Sequence, residues 1–170
     1  TDLWVMFALV KKTPTEYIIQ KASELGASKI VPLLTERTVR KSLNLKRFQD
    51  IAIEASEQCE RITIPEILPL QKLYDVIDNW LEKRTIYYGD ETMRRNKQSS
   101  NNFNKLNNAA CGAVLVGPEG GFTTKEISYL RQKKFVIPIN FGPRILKSDT
   151  AVVTALVYWH TLNGDMKNSF

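Results

Sequence analysis

The chain has 170 residues, 43% of them hydrophobic and 25% charged, enough for one well-buried core and within the range of a single domain. Its apolar stretches fall far short of the roughly 20 residues that a membrane-spanning helix needs, and Cys59 and Cys111 stand apart, without CxxC spacing or a histidine cluster, which argues against a disulfide framework or a metal site. The net charge of +6 favours a polyanionic partner, although a lysine surplus also serves solubility; with neither a basic lead-in nor a small-residue cleavage site at the start, a cytoplasmic protein is expected.

After an apolar strand over Leu3 to Leu9, "TPTEYIIQKASELG" reads as a helix with Thr13 as N-cap, Pro14 at its first position, Glu16 completing a capping box and Gly26 as its stop. "KIVPLL" is a short strand in which Pro32 argues for an edge or a strand end. Helical spacing follows over Lys46 to Glu60, with Phe48, Ile51, Ala52, Ala55 and Cys59 on one face. It recurs in Leu73, Val76, Ile77, Trp80 and Leu81. "TIYYG" is a further strand, and the polar, asparagine-rich run from Met93 to Asn108 is expected to be a mobile loop. Basic residues gather at Arg37, Arg40, Lys41, Lys46 and Arg47, and again at Arg94, Arg95 and Lys97. The tail reads strand, helix, strand, helix: "GAVLVG", a helix capped by Thr123 with Glu126 at the capping-box position, "FVIPI", and Ala151 to Leu162. Strands alternating with amphipathic helices predict an α/β fold with a largely parallel sheet, whose ligands bind where strands lead into helices.

Two such loops have the composition of a site. "VLVGPEGGFTTKE" carries Gly117, Gly120 and Gly121, which let a ligand approach the backbone. Its spacing fits neither dinucleotide nor P-loop motifs, and no lysine stands where a phosphate would need one. A tight strand-to-helix turn and a ligand wall both remain open. "FGPRILKSDT" turns at Gly142 and Pro143, offers the guanidinium of Arg144, and holds Ile145 and Leu146, whose apolar character predicts a loop folded inward. Ser148, Asp149 or Thr150 can cap the last helix. Its apolar residues cover most of the circumference, as a core or dimer-interface helix requires. His160, the only histidine, lies in that apolar helix as a core or interface residue. A Ser-His-Asp triad is therefore excluded.

Taken together, "VLVGPEGGFTTKE" and "FGPRILKSDTA", with "QKASELG" and "EASEQCER" upstream, closely resemble the RsmE family of ribosomal RNA methyltransferases. The resemblance implies a SPOUT-type fold with a C-terminal trefoil knot, S-adenosylmethionine as methyl donor, no metal, and a homodimer packed partly through the last helix. Ribosomal RNA or the small ribosomal subunit would be the partner, with methylation at N3 of a uridine in 16S ribosomal RNA. Members normally begin with a small PUA-like domain, so residues 1–170 are expected to be the methyltransferase domain alone. Lys147, Ser148 and Asp149 depart from the commoner "GPRILRTETA", which puts a bidentate contact at position 147 in question. On this analogy Leu115, Gly117, Pro118, Glu119, Gly120 and Gly121 form one cofactor wall, and Phe141, Gly142, Ile145 and Leu146 the other. Arg144 would stabilise charge on a uracil carbonyl or anchor a phosphate, with a structural pair to Asp149 or to a backbone carbonyl as its alternative. Glu119 would accept the N3 proton, with a carboxylate at a helix N-terminus as its alternative. The competing readings are a non-catalytic RNA-binding module and a methyltransferase for another RNA.

Overall fold

Every strand pairing in the sheet is parallel. The computed structural model describes residues 2–80, 83–95 and 110–167. The strands are β1 (Asp2–Ala8), β2 (Lys29–Leu34), β3 (Glu66–Ile67), β4 (Gln71–Lys72), β5 (Thr85–Gly89), β6 (Cys111–Val116) and β7 (Val136–Ile139). Their order across the sheet is β3-β2-β1-β6-β5-β7, with β4 also pairing β2. The helices are α1 (Lys12–Glu24), α2 (Leu45–Gln58), α3 (Leu73–Asp78), α4 (Thr124–Arg131) and α5 (Ser148–Asn163). The α/β class and the parallel sheet are as the sequence predicts. Of the expected loop from Met93 to Asn108, residues 93–95 end a 3-10 turn, Glu91–Arg95; the rest, with Lys97 and Leu81, lies outside the described residues.

Period-two alternation divides the core between two layers. Leu3, Val5 and Phe7 of β1, Tyr87 of β5, and Val114 and Val116 of β6 meet α1, α2 and α5 on one face. Met6, Ile86, Tyr88, Ala113 and Leu115 meet Leu73 and Ile77 of α3, and Phe122 and Leu130 at α4, on the other. Both faces are covered, which is why the strands read as nearly continuous apolar runs.

Four local expectations are corrected. Helix α1 starts earlier than Thr13, with Lys11 as N-cap and no side-chain cap. Pro14 fits the first turn because no hydrogen bond is asked of its nitrogen there. Pro32 lies in an interior strand, but β2 pairs outward with β3 through Lys29 and Ile30 and with β4 through Leu33 and Leu34. The proline falls in the gap between those ladders. Helix α5 begins at Ser148, with Lys147 as N-cap and no capping side chain, so Ser148, Asp149 and Thr150 form its first turn. It is buried on one side only: Ala151, Val152, Ala155, Leu156 and Trp159 face the core, while Val157 and Tyr158 are 38% and 42% exposed. The capping box of α4 is present in full, with Thr123 Oγ1 accepting from Glu126 N and Glu126 accepting from Thr123 N.

Candidate functional site

The carboxyl ends of β5, β6 and β7 open onto one solvent-accessible cleft. Three loops and the start of α5 line it. Gly89, Asp90 and Glu91 come from the end of β5; Gly117, Pro118, Gly121 and Phe122 follow β6; Asn140, Phe141, Gly142, Arg144, Ile145 and Leu146 follow β7; Ser148 and Ala151 belong to α5. Close backbone approach builds the floor. A Cβ added at Gly89 would fall 2.6 Å from the Phe141 ring, and one at Gly117 would fall 3.1 Å from Phe122. Ser148 Oγ donates to the Gly117 carbonyl at 2.8 Å, tying the last loop to the glycine loop.

The glycine loop is a closed turn, in which Gly121 N donates to Pro118 O at 2.8 Å and Gly121 takes φ +68, a left-handed conformation that an L side chain resists. Glu119 and Gly120 form the tip of this turn and do not line the cleft. Lys11 N donates to Glu119 Oε1 at 3.4 Å, and Arg37 Nη1 donates to Gly120 O at 2.5 Å. Glu119 thus faces the N-terminus of α1, the arrangement that suits a carboxylate beside a helix dipole. Leu115 is also off the cleft, because its place in the alternation sends it into the layer beneath α3 and α4, fully buried. Of the ten residues expected in the two walls, Gly117, Pro118, Gly121, Phe141, Gly142, Ile145 and Leu146 meet around the cleft.

Arg144 lines the cleft, is exposed, and has no hydrogen bond or ion pair among the described residues, Asp149 included. Ile145 does not fold inward: it is 63% exposed at the rim, while Leu146 packs on the core.

Sequence reasoning missed the end of β5. Asp90 has no side-chain exposure and accepts from five donors: Tyr88 Oη at 2.7 Å, Thr92 N at 3.0 Å, Thr92 Oγ1 at 2.6 Å, Arg131 Nη2 at 2.6 Å and Arg131 Nε at 3.2 Å. Burial alone pushes its carboxyl up, but the bonds from Thr92, Tyr88 and Arg131 outweigh that and hold it below the ordinary range. The Tyr88 hydroxyl is pushed well up by burial and by Asp90. A strand ending in glycine, then Asp with Thr two residues on, is the pattern of a side-chain-closed turn and was the available signal.

A buried carboxylate also fixes the outer wall. Glu126, with no exposure, accepts from Thr123 N and from Glu36 N, each at 2.8 Å. The basic β2–α2 loop is thereby clasped to the start of α4.

At the opposite end of the sheet, Arg61, His160 and Asp165 border a second cavity. His160 is a core residue, yet its bonding is incomplete: Nδ1 accepts from Asp165 N at 3.4 Å, while Nε2 has no hydrogen-bond partner among the described residues.

Among the described residues, the lining of this glycine-floored, largely apolar cleft has one free guanidinium and no lysine, which suits a nucleoside without phosphates. A family model described as RNA methyltransferase domain matches residues 1–160. The chain belongs to the RNA methyltransferase domain family. Among curated members, ribosomal RNA small subunit methyltransferase E of Rickettsia conorii is 32% identical over 92% of this chain and 63% of its own length. The Synechocystis protein of the same name is 39% identical over 91% of this chain and 52% of its own. The chain therefore spans between half and two thirds of these family members. A crystal structure of ribosomal RNA small subunit methyltransferase E from Neisseria gonorrhoeae, bound to S-adenosyl methionine, is 25% identical with a TM-score of 0.83, covering 95% of this chain and 66% of that one.

Proposed function

We propose that this chain is the catalytic domain of an S-adenosylmethionine-dependent methyltransferase acting on N3 of a uridine in small-subunit ribosomal RNA. The observation that carries the reading is the cleft itself. It is walled by Gly117, Pro118 and Gly121 on one side and by Phe141, Gly142, Ile145 and Leu146 on the other, at the carboxyl ends of parallel strands. Gly89 and Gly117 let the rings of Phe141 and Phe122 pack against the backbone, and those rings offer apolar surface to a purine. A sulfonium nucleoside, which supplies an activated methyl group, asks for such surroundings and not for a phosphate cradle.

Residues 1–170 are read as one methyltransferase domain of SPOUT type. The bond from Ser148 to Gly117 and the passage of the chain from the β7 edge back to α5 beneath the sheet's centre are compatible with a trefoil knot. Val157 and Tyr158, exposed on the outer side of α5, support a homodimer packed through that helix. Ribosomal RNA or the small subunit is the partner, in keeping with the +6 charge. A cytoplasmic location follows from that substrate; among the described residues no helix is long and apolar enough to cross a membrane.

Arg144, unpaired at the cleft, is assigned the uracil carbonyl, where a guanidinium stabilises the charge left as N3 loses its proton. The test is calorimetric titration with S-adenosylmethionine together with methyl transfer to small-subunit ribosomal RNA, for the protein and its Arg144→Ala variant. Saturable binding in both, with transfer lowered about 100-fold or more in the variant, is the expected result. RNA binding without donor binding in the unaltered protein would overturn the reading in favour of a non-catalytic RNA-binding module. Transfer only to other RNAs would overturn the substrate.

A further inference from the structure

N3 of uracil carries a proton that must leave before or during methylation, and Glu119 is turned away from the cleft. The remaining cleft-lining groups can be taken in turn. The carboxylate of Asp90 is fully buried and accepts from five donors. The Tyr88 hydroxyl donates to that carboxylate at 2.7 Å and accepts from Arg131 Nε at 3.2 Å. Ser148 Oγ donates to Gly117 O, and the Asn140 side-chain oxygen accepts from Gly142 N at 3.1 Å. Arg144 is a cation with no lone pair to give. Glu91 differs from all of these. It lines the cleft, is exposed, and has no hydrogen bond or ion pair among the described residues. Its carboxylate lies over Gly121, where a Cβ would collide with Oε1.

From this geometry we infer that Glu91 is the general base of the reaction, accepting the N3 proton of the target uracil. The inference rests on the methyltransferase reading above. The imide edge of uracil presents a carbonyl, an N–H and a second carbonyl in a row. A free guanidinium and a free carboxylate on one cleft, Arg144 and Glu91, complement an acceptor and the adjacent donor. In the step, the N3–H bond breaks and its proton passes to a Glu91 carboxylate oxygen. The electron pair left on N3 forms the new bond to the methyl carbon, and the carbon–sulfur pair returns to sulfur, leaving a neutral thioether. Solvent exposure lets Glu91 release the proton to water for the next turnover. Asp90 acts as a positioning residue: by accepting from Thr92 N across Glu91, it fixes the turn that presents the carboxylate.

The test compares the protein with Glu91→Gln, which keeps the shape and removes the base. Affinity for S-adenosylhomocysteine, read by calorimetry, is expected to stay within about threefold, while kcat for methyl transfer falls about 100- to 10,000-fold. The pH dependence carries the discrimination. With the base in place, the rate of the unaltered protein should depend less steeply on pH than that of the variant. The variant, left to the small fraction of substrate already ionised, should rise about tenfold per pH unit. RNA carrying 5-fluorouridine, whose N3 proton is more acidic, should restore more of the variant's rate than of the parent's. Equal kcat values, parallel pH profiles, or a loss of S-adenosylhomocysteine binding that matches the loss of transfer would each overturn the assignment, the last by making Glu91 a cofactor-holding group. Failure of the methyltransferase reading is separable, because then the unaltered protein would neither bind the donor nor transfer methyl.

Discussion

Arg131 Nη2 lies 2.6 Å from Asp90 Oδ2, joining a half-exposed guanidinium to a carboxylate with no exposure at all. The pair holds the end of β5 to α4 directly under the cleft. Replacing Arg131 with Met leaves the buried carboxylate with neutral donors only, and a loss of about 2 kcal/mol in urea unfolding is expected. The folded carboxyl is held below its ordinary value of 3.8, so the unfolded chain binds the proton more readily. The pair's contribution is therefore complete above that value and is lost as pH falls through the lower folded value. Arg131→Met should flatten the acid limb of the stability curve in that window.

Removing the buried carboxylate of Glu126 orphans two backbone donors at once, Thr123 N and Glu36 N. Glu126→Ala is expected to cost about 2–3 kcal/mol. Hydrogen exchange should quicken at the β2–α2 loop as well as at the start of α4. Exchange confined to α4 would mean that the clasp across the two elements contributes nothing.

His160 gives a second pH signature, separated from that of Asp90. Burial holds its imidazole below the ordinary 6.5, and the carboxylate of Asp165 offsets only part of this. The unfolded chain thus takes up the proton first, and stability should decline as pH drops below 6.5 toward the folded value, by at most about 1.4 kcal/mol per pH unit. His160→Gln should abolish this decline, checked by thermal midpoints between pH 5 and pH 7.

Gly89→Ala places a methyl group against the Phe141 ring, 2.6 Å from its nearest carbon. The ring must move, and with it one wall of the cleft. Donor affinity is expected to fall about tenfold or more, with a stability loss of about 1–3 kcal/mol. Adding Phe141→Leu to the same chain should recover stability by removing the clash.

Val157→Glu puts a charge on the exposed side of α5 while leaving the core side untouched. If the helix packs against a second copy, sedimentation should shift toward monomer with the unfolding free energy of the monomer little changed. An unaltered sedimentation profile would remove α5 from the interface.

Much of this architecture was legible because apolar runs and capping residues act locally. β5 and the capping box of α4 follow directly from "TIYYG" and from Thr123 with Glu126. The glycine loop and the arginine loop announced themselves by composition, and both border the cleft. Other features depended on distant partners. Nothing near Pro32 reveals that its outer neighbour is interrupted between β3 and β4. Glu119 and Glu91 are both acidic residues just beyond a strand. Only the turn closed by Pro118 and Gly121, and the anchoring of Asp90, decide that one faces α1 and the other the cleft.

The pairing of β1 between β2 and β6 bears on how the protein is made. Asp2 is aligned with Cys111, and Phe7 with Val116, so one flank of this central strand waits for residues synthesised long after it. Such distant pairings raise contact order and slow folding. On the ribosome, β1 would emerge with two unpaired edges, of which β2 covers one and the other stays open. Until the sixth strand arrives, that open edge exposes the nascent chain to mispairing and makes it a candidate for chaperone protection.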